Sequence, residues 1–337
     1  MSDTSYPEEH EGDLLEVEDL TTWFHTPAGV VHAVDGVSLS VAQGKTLGIV
    51  GESGSGKTVL SRSIMGLVTA HNVERTGVVR YRGHDITHAS GADLRHLWGT
   101  EMSMVFQDPM TSLNPVMRIG QQIAEGLRYH FHRSKADARE AALKLLDSVG
   151  IPDPARRLQQ YPHELSGGMR QRVTIAIALA SGPKLLFADE PTTALDVTVQ
   201  AQILDLLAQQ QRERFMAMIL VTHDLGVVAG RTDEIIVMYA GQVVERAPTA
   251  ELFAKVRMPY TEALLASIPS LTAPPHERLR VITGRPPQLI DLPGGCRFAP
   301  RCPYAQERCW AEEPPLEEGS PGHLHRCWFP LSDPVVR

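Results

Sequence analysis

Eight consecutive residues constrain this chain more than any other feature: Gly51-Glu-Ser-Gly-Ser-Gly-Lys57-Thr58. They fit the pattern G-x-x-x-x-G-K-[ST]. The apolar run Thr46 to Val50 precedes them, and a helical pattern, Thr58 to Leu67, follows. A strand, a glycine-rich loop and a helix in that order make a cradle for phosphate. Gly51, Gly54 and Gly56 let the backbone turn its N–H groups inward around phosphate oxygens, with Glu52, Ser53 and Ser55 in the same loop. The helix adds the partial positive charge of its N-terminus. Lys57 is placed to reach the β- and γ-phosphates of a nucleotide, and Thr58 to ligate Mg²⁺. A glycine-rich turn beside a surface lysine would use the same residue types, but the flanking strand and helix argue against it.

A second element points the same way. Leu185-Leu-Phe-Ala-Asp189-Glu190 is an apolar strand ending in two adjacent carboxylates. Taken alone it could be an ordinary acidic strand end. After a phosphate loop, the first carboxylate reads as a Mg²⁺ holder and the second as the group that polarises an attacking water. Ala217 to Val221 and Ile235 to Met238 are short continuous apolar runs, as in strands covered on both faces. Leu14 to Leu20, Val30 to Val41, Val78 to Tyr81 and Met102 to Phe106 also read as strands. Val173 to Ala180 and Val197 to Arg214 read as helices, and Gly120 to Gln160 carries Leu143, Leu145, Leu146 and Val149 among charges at helical spacing. Strands alternating with helices predict an α/β core with a mostly parallel sheet.

Composition narrows the class. At about 150 residues per domain, 337 residues suggest two domains. Hydrophobic residues make up 42% and charged residues 21%, enough to bury a substantial core. The net charge of -8 argues against a general nucleic-acid footprint. No run approaches the roughly 18 apolar residues of a membrane-spanning helix. No Lys or Arg precedes Lys45, so the positive start of a secretory signal is missing. The expected location is the cytoplasm, with any membrane role peripheral and through partners.

Leu165-Ser166-Gly167-Gly168-Met169-Arg170-Gln171-Arg172 lies between the phosphate loop and Asp189-Glu190. In that order the three elements resemble an ATP-binding cassette (ABC) ATPase. Gln107 in Val105-Phe-Gln-Asp-Pro109 is similar to the Q-loop, Ala194-Leu195-Asp196 to the D-loop, and His223 in Val221-Thr-His-Asp224 to the switch histidine. Phe24 is similar in position to the aromatic that stacks on adenine, with Trp23 a neighbouring candidate. The resemblance covers roughly residues 14 to 265. Met169, where the broad family commonly has Gln, is similar to one subunit type of the dipeptide/oligopeptide importers. Gln107-Asp-Pro-Met-Thr-Ser-Leu-Asn-Pro115 and Gly295-Cys-Arg-Phe-Ala-Pro-Arg-Cys-Pro303 resemble the same subfamily.

The resemblance implies a P-loop ABC ATPase core: a mostly parallel sheet with helices, an antiparallel β subdomain, and a helical signature subdomain at about residues 108 to 175. It implies that Glu190 acts as general base or water orienter, that His223 braces the γ-phosphate and Glu190, and that Thr58, Gln107 and Asp189 serve Mg²⁺. Ser166, Gly167 and Gly168 would close on ATP held by a partner chain. The implied partners are a second, different cassette, two permeases and an extracytoplasmic peptide-binding protein, with no nucleic acid. Nickel or opine importers share the core style. Soluble ABC ATPases acting on nucleic acid or ribosomes usually carry two cassettes or large coiled-coil insertions, and neither is found here.

The last 72 residues hold 13 of the 24 prolines and all four cysteines, so a boundary is expected near Ser267 to Pro275 and a small extension over 266 to 337. The spacing of Cys296, Cys302, Cys309 and Cys327 is C-x5-C-x6-C-x17-C. In a reducing compartment such clusters are more often metal-binding than disulfide-bonded. Four thiolates suit Zn²⁺ or an iron–sulfur cluster. The absence of a C-x2-C knuckle and the resemblance to dipeptide-importer tails favour [4Fe–4S], with Zn²⁺ the alternative. His323 and His325 are expected to be exposed polar residues.

Overall fold

A computed structural model describes residues 12–193, 195–268 and 282–332. Among them the strands run β1 (Leu15–Thr26), β2 (Gly29–Val41), β3 (Thr46–Val50), β4 (Val73–Tyr81), β5 (His84–Asp85), β6 (Met102–Val105), β7 (Leu185–Asp189), β8 (Ala217–Thr222), β9 (Glu234–Tyr239), β10 (Gln242–Pro248), β11 (Glu317–Ser320) and β12 (His323–His325). The chain divides into two compact units, one of residues 1–41, 46–87 and 220–337, the other of 42–45 and 88–219.

The first unit holds an antiparallel sheet in the order β2-β1-β4-β5. It also holds strands in the order β11-β12-β10-β9-β3, in which β3 and β9 are parallel and the rest antiparallel. All five residues of β3, Thr-Leu-Gly-Ile-Val, are buried. That explains its continuous apolar sequence, because a strand covered on both faces loses the alternation of a half-exposed one. The helix Lys57–Ile64 follows the loop after β3 and buries Leu60 and Ile64.

The second unit pairs β6 with β7 in parallel, from Met102 opposite Leu185 to Val105 opposite Ala188. β7 is buried throughout, including its terminal Asp189. The same unit holds helices Ile119–Phe131, Lys135–Ser148, Gly167–Leu179 and Val197–Arg214, of which Gly167–Leu179 packs against β6 and touches the other three. Side-chain caps start three of them: Ser134 accepts from the Asp137 amide, Ser166 from the Met169 amide and Asp196 from the Val199 amide. Each cap satisfies a donor the first turn would otherwise leave orphaned. β8 runs out of this unit at Ile219 and into the first at Leu220.

The mixed α/β architecture with an antiparallel sheet agrees with the sequence reading, while several bounds move. β1 continues to Thr26, because Trp23, Phe24 and His25 pair with β2 as far as the turn at Pro27-Ala28. The signature helix begins at Gly167, six residues before its apolar run, since the Ser166 cap holds the two glycines in its first turn. The cysteine-rich tail also contains more regular structure than its prolines suggest. β12 pairs with β10, Glu245 opposite His325 and Arg246 opposite Leu324. His323 and His325 are therefore buried, which corrects the expectation that they are exposed. Of the expected linker, Pro269 to Pro275 lies outside the described residues, as do the acidic side chains up to Glu11.

Candidate functional site: a phosphate loop and an acidic strand end

In the first unit, the phosphate loop joins β3 to the helix Lys57–Ile64. Two of its glycines are required by close backbone approach. A Cβ on Gly51 would lie 2.2 Å from the Met238 carbonyl oxygen, and one on Gly56, at φ +102°, would lie 2.1 Å from that of Ala33. Any side chain there would displace the loop. Lys57 is only 4% exposed, and its Nζ donates to the carbonyls of Gly51 at 2.8 Å and Glu52 at 3.0 Å. The ammonium is thus folded back over its own loop. Ser55 is buried, and its Oγ has no hydrogen-bond partner among the described residues. A buried hydroxyl without a partner is costly in a closed core and suits a site that receives a phosphate oxygen. Ser53 and Gly54 are exposed at the loop tip, and Thr58 is half-buried.

Glu52 is held at three groups. Its N–H donates to the Tyr260 hydroxyl at 2.9 Å, its carbonyl receives Lys57, and its carboxylate takes both ends of the Arg301 guanidinium, at 2.6 and 2.9 Å. That ion pair holds Arg301 protonated well above the ordinary arginine range, while burial pushes the Tyr260 hydroxyl up. Phe24 and Trp23 are both half-buried on β1. The Trp23 indole N–H donates to Asp35 at 3.2 Å and its ring lies 4.5 Å from that of His32. His223, past the end of β8, is exposed, so it is not a core histidine, and the cap of the next short helix is Asp224.

In the second unit, β7 carries Asp189, fully buried, and the chain turns sharply at Glu190, whose φ is +45°. A non-glycine residue in that region is strained, and such residues concentrate at functional sites. The Glu190 carboxylate accepts from the Gln107 side-chain amide at 3.0 Å and from the Thr193 hydroxyl at 2.8 Å, both at Oε2. Because the Gln107 nitrogen faces Glu190, its amide oxygen is the end left to ligate a cation. Thr58 in the first unit, and Gln107 and Asp189 in the second, each offer oxygen donors, the ligand type that Mg²⁺ takes. Mg²⁺, when bound to a nucleotide, would neutralise phosphate charge. Ser166 is exposed at the N-terminus of a 13-residue helix, with its hydroxyl 3.3 Å from the Met169 amide. The first-turn amides of such a helix favour an anion. Of the D-loop, Asp196 caps the next helix, and Ala194 lies outside the described residues.

The sequence reading missed Thr193, Tyr260 and Arg301. Thr193, three residues after Glu190, has a local signal in the Glu-Pro-Thr-Thr turn. Arg301 and Tyr260 have none, since their partner Glu52 is 249 and 208 residues away.

The four cysteines of the tail are free thiols that line one pocket together with Met258, Phe298 and Tyr304. Burial raises the thiol pKa of Cys296, pushes Cys302 up to about 11 and Cys327 up to about 12. Among the described residues, no group of three or more His, Cys, Asp or Glu side chains is arranged to hold a metal ion. The [4Fe–4S] expectation, and Zn²⁺ with it, is not supported by this arrangement.

Comparison with known proteins agrees with the order of these elements. Residues 34–193 match the ABC transporter family, and residues 244–309 match the C-terminal region of oligopeptide/dipeptide transporters. The chain is 50% identical over 320 residues to the dipeptide transport ATP-binding protein DppD of Escherichia coli, covering 95% of this chain and 98% of that one. It is 48% identical over 317 residues to the oligopeptide transport ATP-binding protein AppD of Bacillus subtilis, covering 94% and 96%. Among solved structures, the ATP-binding cassette MJ0796, a dimer bound to ADP and Pi, aligns with a TM-score of 0.63 at 26% identity, over 70% of this chain and 98% of that one. The cassette cbiO1 of Clostridium perfringens aligns at 0.62 and 28%, over 72% and 91%. The chain therefore belongs to the ABC ATPases, in the family of ATP-binding subunits of dipeptide and oligopeptide transporters.

Proposed function

We propose that this ATPase energises the import of dipeptides or oligopeptides. It would lie on the cytoplasmic face of a membrane against two permeases, beside a second cassette of different sequence, with an extracytoplasmic binding protein delivering the peptide. No described helix is long and apolar enough to cross a membrane itself. The observation that carries the reading is that identity to the peptide-transport subunits extends over 95% of the chain and includes the tail. Nucleotide-binding cores of many cargo classes share the first 265 residues' motifs, but the matched tail region belongs to the peptide subfamily.

The residues take these roles in the proposal. Gly51 to Thr58 cradle the phosphates, with Lys57 on the β- and γ-phosphates, and Phe24 stacks on adenine. Thr58, Asp189 and Gln107 would serve as the oxygen ligands of Mg²⁺, which supplies charge neutralisation at the phosphates. Glu190 accepts a proton from water as its oxygen attacks the γ-phosphorus, the bond to the β–γ bridging oxygen breaks, and ADP leaves. His223 braces the γ-phosphate. Ser166, Gly167 and Gly168 close on ATP bound to the partner cassette. Residues 14–265 form the nucleotide-binding domain, with a helical subdomain of about 108–175 whose region between Gln107 and Ser166 meets the permeases, and 266–337 the extension.

For the extension, the reading of a four-thiol metal site is supported by the four free thiols in one pocket and opposed by the absence, among the described residues, of any group arranged to hold a metal ion. Iron and zinc analysis of anaerobically purified protein separates the cases: about four irons per chain, as a four-cysteine cluster requires, one zinc, or neither.

The functional test is uptake by proteoliposomes holding this chain, the permeases, the second cassette and the binding protein encoded beside it. ATP-dependent accumulation of a labelled peptide supports the reading. Accumulation of nickel or an opine instead, or stimulation of the ATPase by nucleic acid alone, replaces it.

A further inference from the structure

The tail reaches back to the phosphate loop through one buried arginine. Arg301 is 3% exposed at its side chain and meets Glu52 with two parallel hydrogen bonds, while Glu52 is 25% exposed. Arg301 also donates to the Tyr239 hydroxyl at 3.2 Å and to the Thr283 carbonyl at 2.9 Å. Tyr239, Tyr260 and Phe298 pack edge-on and tilted around it, with ring centroids 4.6 to 5.3 Å apart. Tyr260 takes the N–H of the same Glu52. The planar fork of an arginine fixes the direction of a carboxylate as well as its position.

What makes this more than a fastening of the tail is the residue it grips. The Glu52 carbonyl is among the oxygens that hold the Lys57 ammonium, with that of Gly51. Glu52 is therefore the link between the tail and the lysine of the phosphate loop. A second contact runs alongside. Arg297, 8% exposed, donates to the Ala240 carbonyl at 2.6 Å and pairs with Asp35, which in turn accepts from Trp23 beside Phe24. The tail thus touches both the loop and the strand of the first sheet that precedes it.

We propose that Arg301 is a positioning residue for ATP: through its bidentate pair with Glu52 it holds the phosphate loop, and the Lys57 resting on it, in the shape that receives the nucleotide. The proposal rests on the reading of Gly51 to Thr58 as the ATP site. It makes the C-terminal extension part of the nucleotide site of its own chain. The loop keeps its glycines and its lysine without Arg301, but must then settle its own conformation at the moment of binding, which weakens affinity. The chemical step should not be touched, because the guanidinium of Arg301 is committed to Glu52, Tyr239 and Thr283.

The test is equilibrium titration of the full-length chain with mant-ATP and Mg²⁺, together with the ATPase of the assembled transporter. Arg301→Gln should weaken mant-ATP binding by roughly tenfold, the scale of a hydrogen bond to a charged group, and raise KM for ATP while kcat stays within about twofold. Arg301→Lys, which keeps charge and loses the fork, should fall between wild type and Arg301→Gln. Because Arg301 also serves Tyr239 and Thr283, its truncation can impair folding. Glu52→Gln cuts the same pair from the loop side and leaves those bonds intact, and it should weaken binding to a similar degree. The double variant should bind no worse than Glu52→Gln alone, since both changes remove one interaction. Wild-type affinity in Glu52→Gln, or additive losses in the double variant, overturns the proposal. Failure of the wild-type chain to bind mant-ATP at all would instead overturn the ATP site itself.

Discussion

The side-chain amide of Gln107 donates to the carboxylate of Glu190 at 3.0 Å, and the Thr193 hydroxyl meets the same oxygen at 2.8 Å. Two donors on one oxygen fix the direction of the carboxylate at a residue whose backbone is already strained, with φ +45°. A general base needs both charge and aim. Glu190→Gln keeps the shape and removes the base. Hydrolysis by the assembled transporter should fall by roughly 10²- to 10⁴-fold, the usual contribution of a general base, while ATP binding is retained. Phosphate release assays and mant-ATP titration check the two halves separately. Near-normal turnover would assign the base elsewhere.

Lys57→Ala should act on the other side of that division. The lysine is buried in the loop and its ammonium sits on the Gly51 and Glu52 carbonyls. Its removal takes a charge-assisted contact from the phosphates, so ATP affinity should drop by at least about tenfold. Titration that shows unchanged affinity would contradict the phosphate-cradle reading.

The isolated chain should hydrolyse ATP slowly. Ser166 is exposed at the N-terminus of its helix, where it can meet the nucleotide of another cassette. Turnover should rise on adding the permeases and the second cassette, and gel filtration with ATP should show no fully active homodimer. A homodimer as active as the complete assembly would remove the need for a different partner cassette.

The tail should loosen in acid. Burial holds the His325 imidazole below the usual histidine range, against an opposing pull from Glu245. The folded state then binds fewer protons at this site than the unfolded one, so the associated stability is present above the unfolded pKa of about 6.5 and is lost as the pH falls below it. Hydrogen exchange of Glu317–His325, corrected for intrinsic rates, should show protection at pH 7 that declines by pH 5. His325→Asn should flatten that dependence. Equal protection at both pH values would show that this histidine does not govern the pairing of β12.

Much of this site was legible in the sequence because its parts are local. The phosphate loop and the acidic strand end are each written in a few adjacent residues, and β3 and β7 announce themselves as short apolar runs. The start of the signature helix was less clear, since its apolar run begins only at Val173, whereas the Ser166 cap starts it at Gly167. The fate of His323 was not legible at all. It is fully buried and pairs with Glu245 at 2.8 Å across 78 residues, while Glu245 also accepts the Arg257 and Met258 amides. Proline density in the tail pointed to irregular chain, whereas strand pairing with β10, fixed by distant residues, decided its structure. The Arg301–Glu52 pair is hidden for the same reason.

In the proposed function, ATP hydrolysis at this chain drives peptide across a membrane. Its most direct test is peptide accumulation in proteoliposomes containing the permeases, both cassettes and the binding protein, measured with ATP and Mg²⁺ inside the compartment that holds the cassettes. Wild-type assemblies should accumulate labelled di- or oligopeptide against its gradient, with ATP turnover stimulated by loaded binding protein, and Glu190→Gln in this chain should abolish both accumulation and stimulation. Accumulation that persists undiminished with Glu190→Gln, or ATP turnover in the wild-type assembly that is indifferent to peptide, would contradict the account.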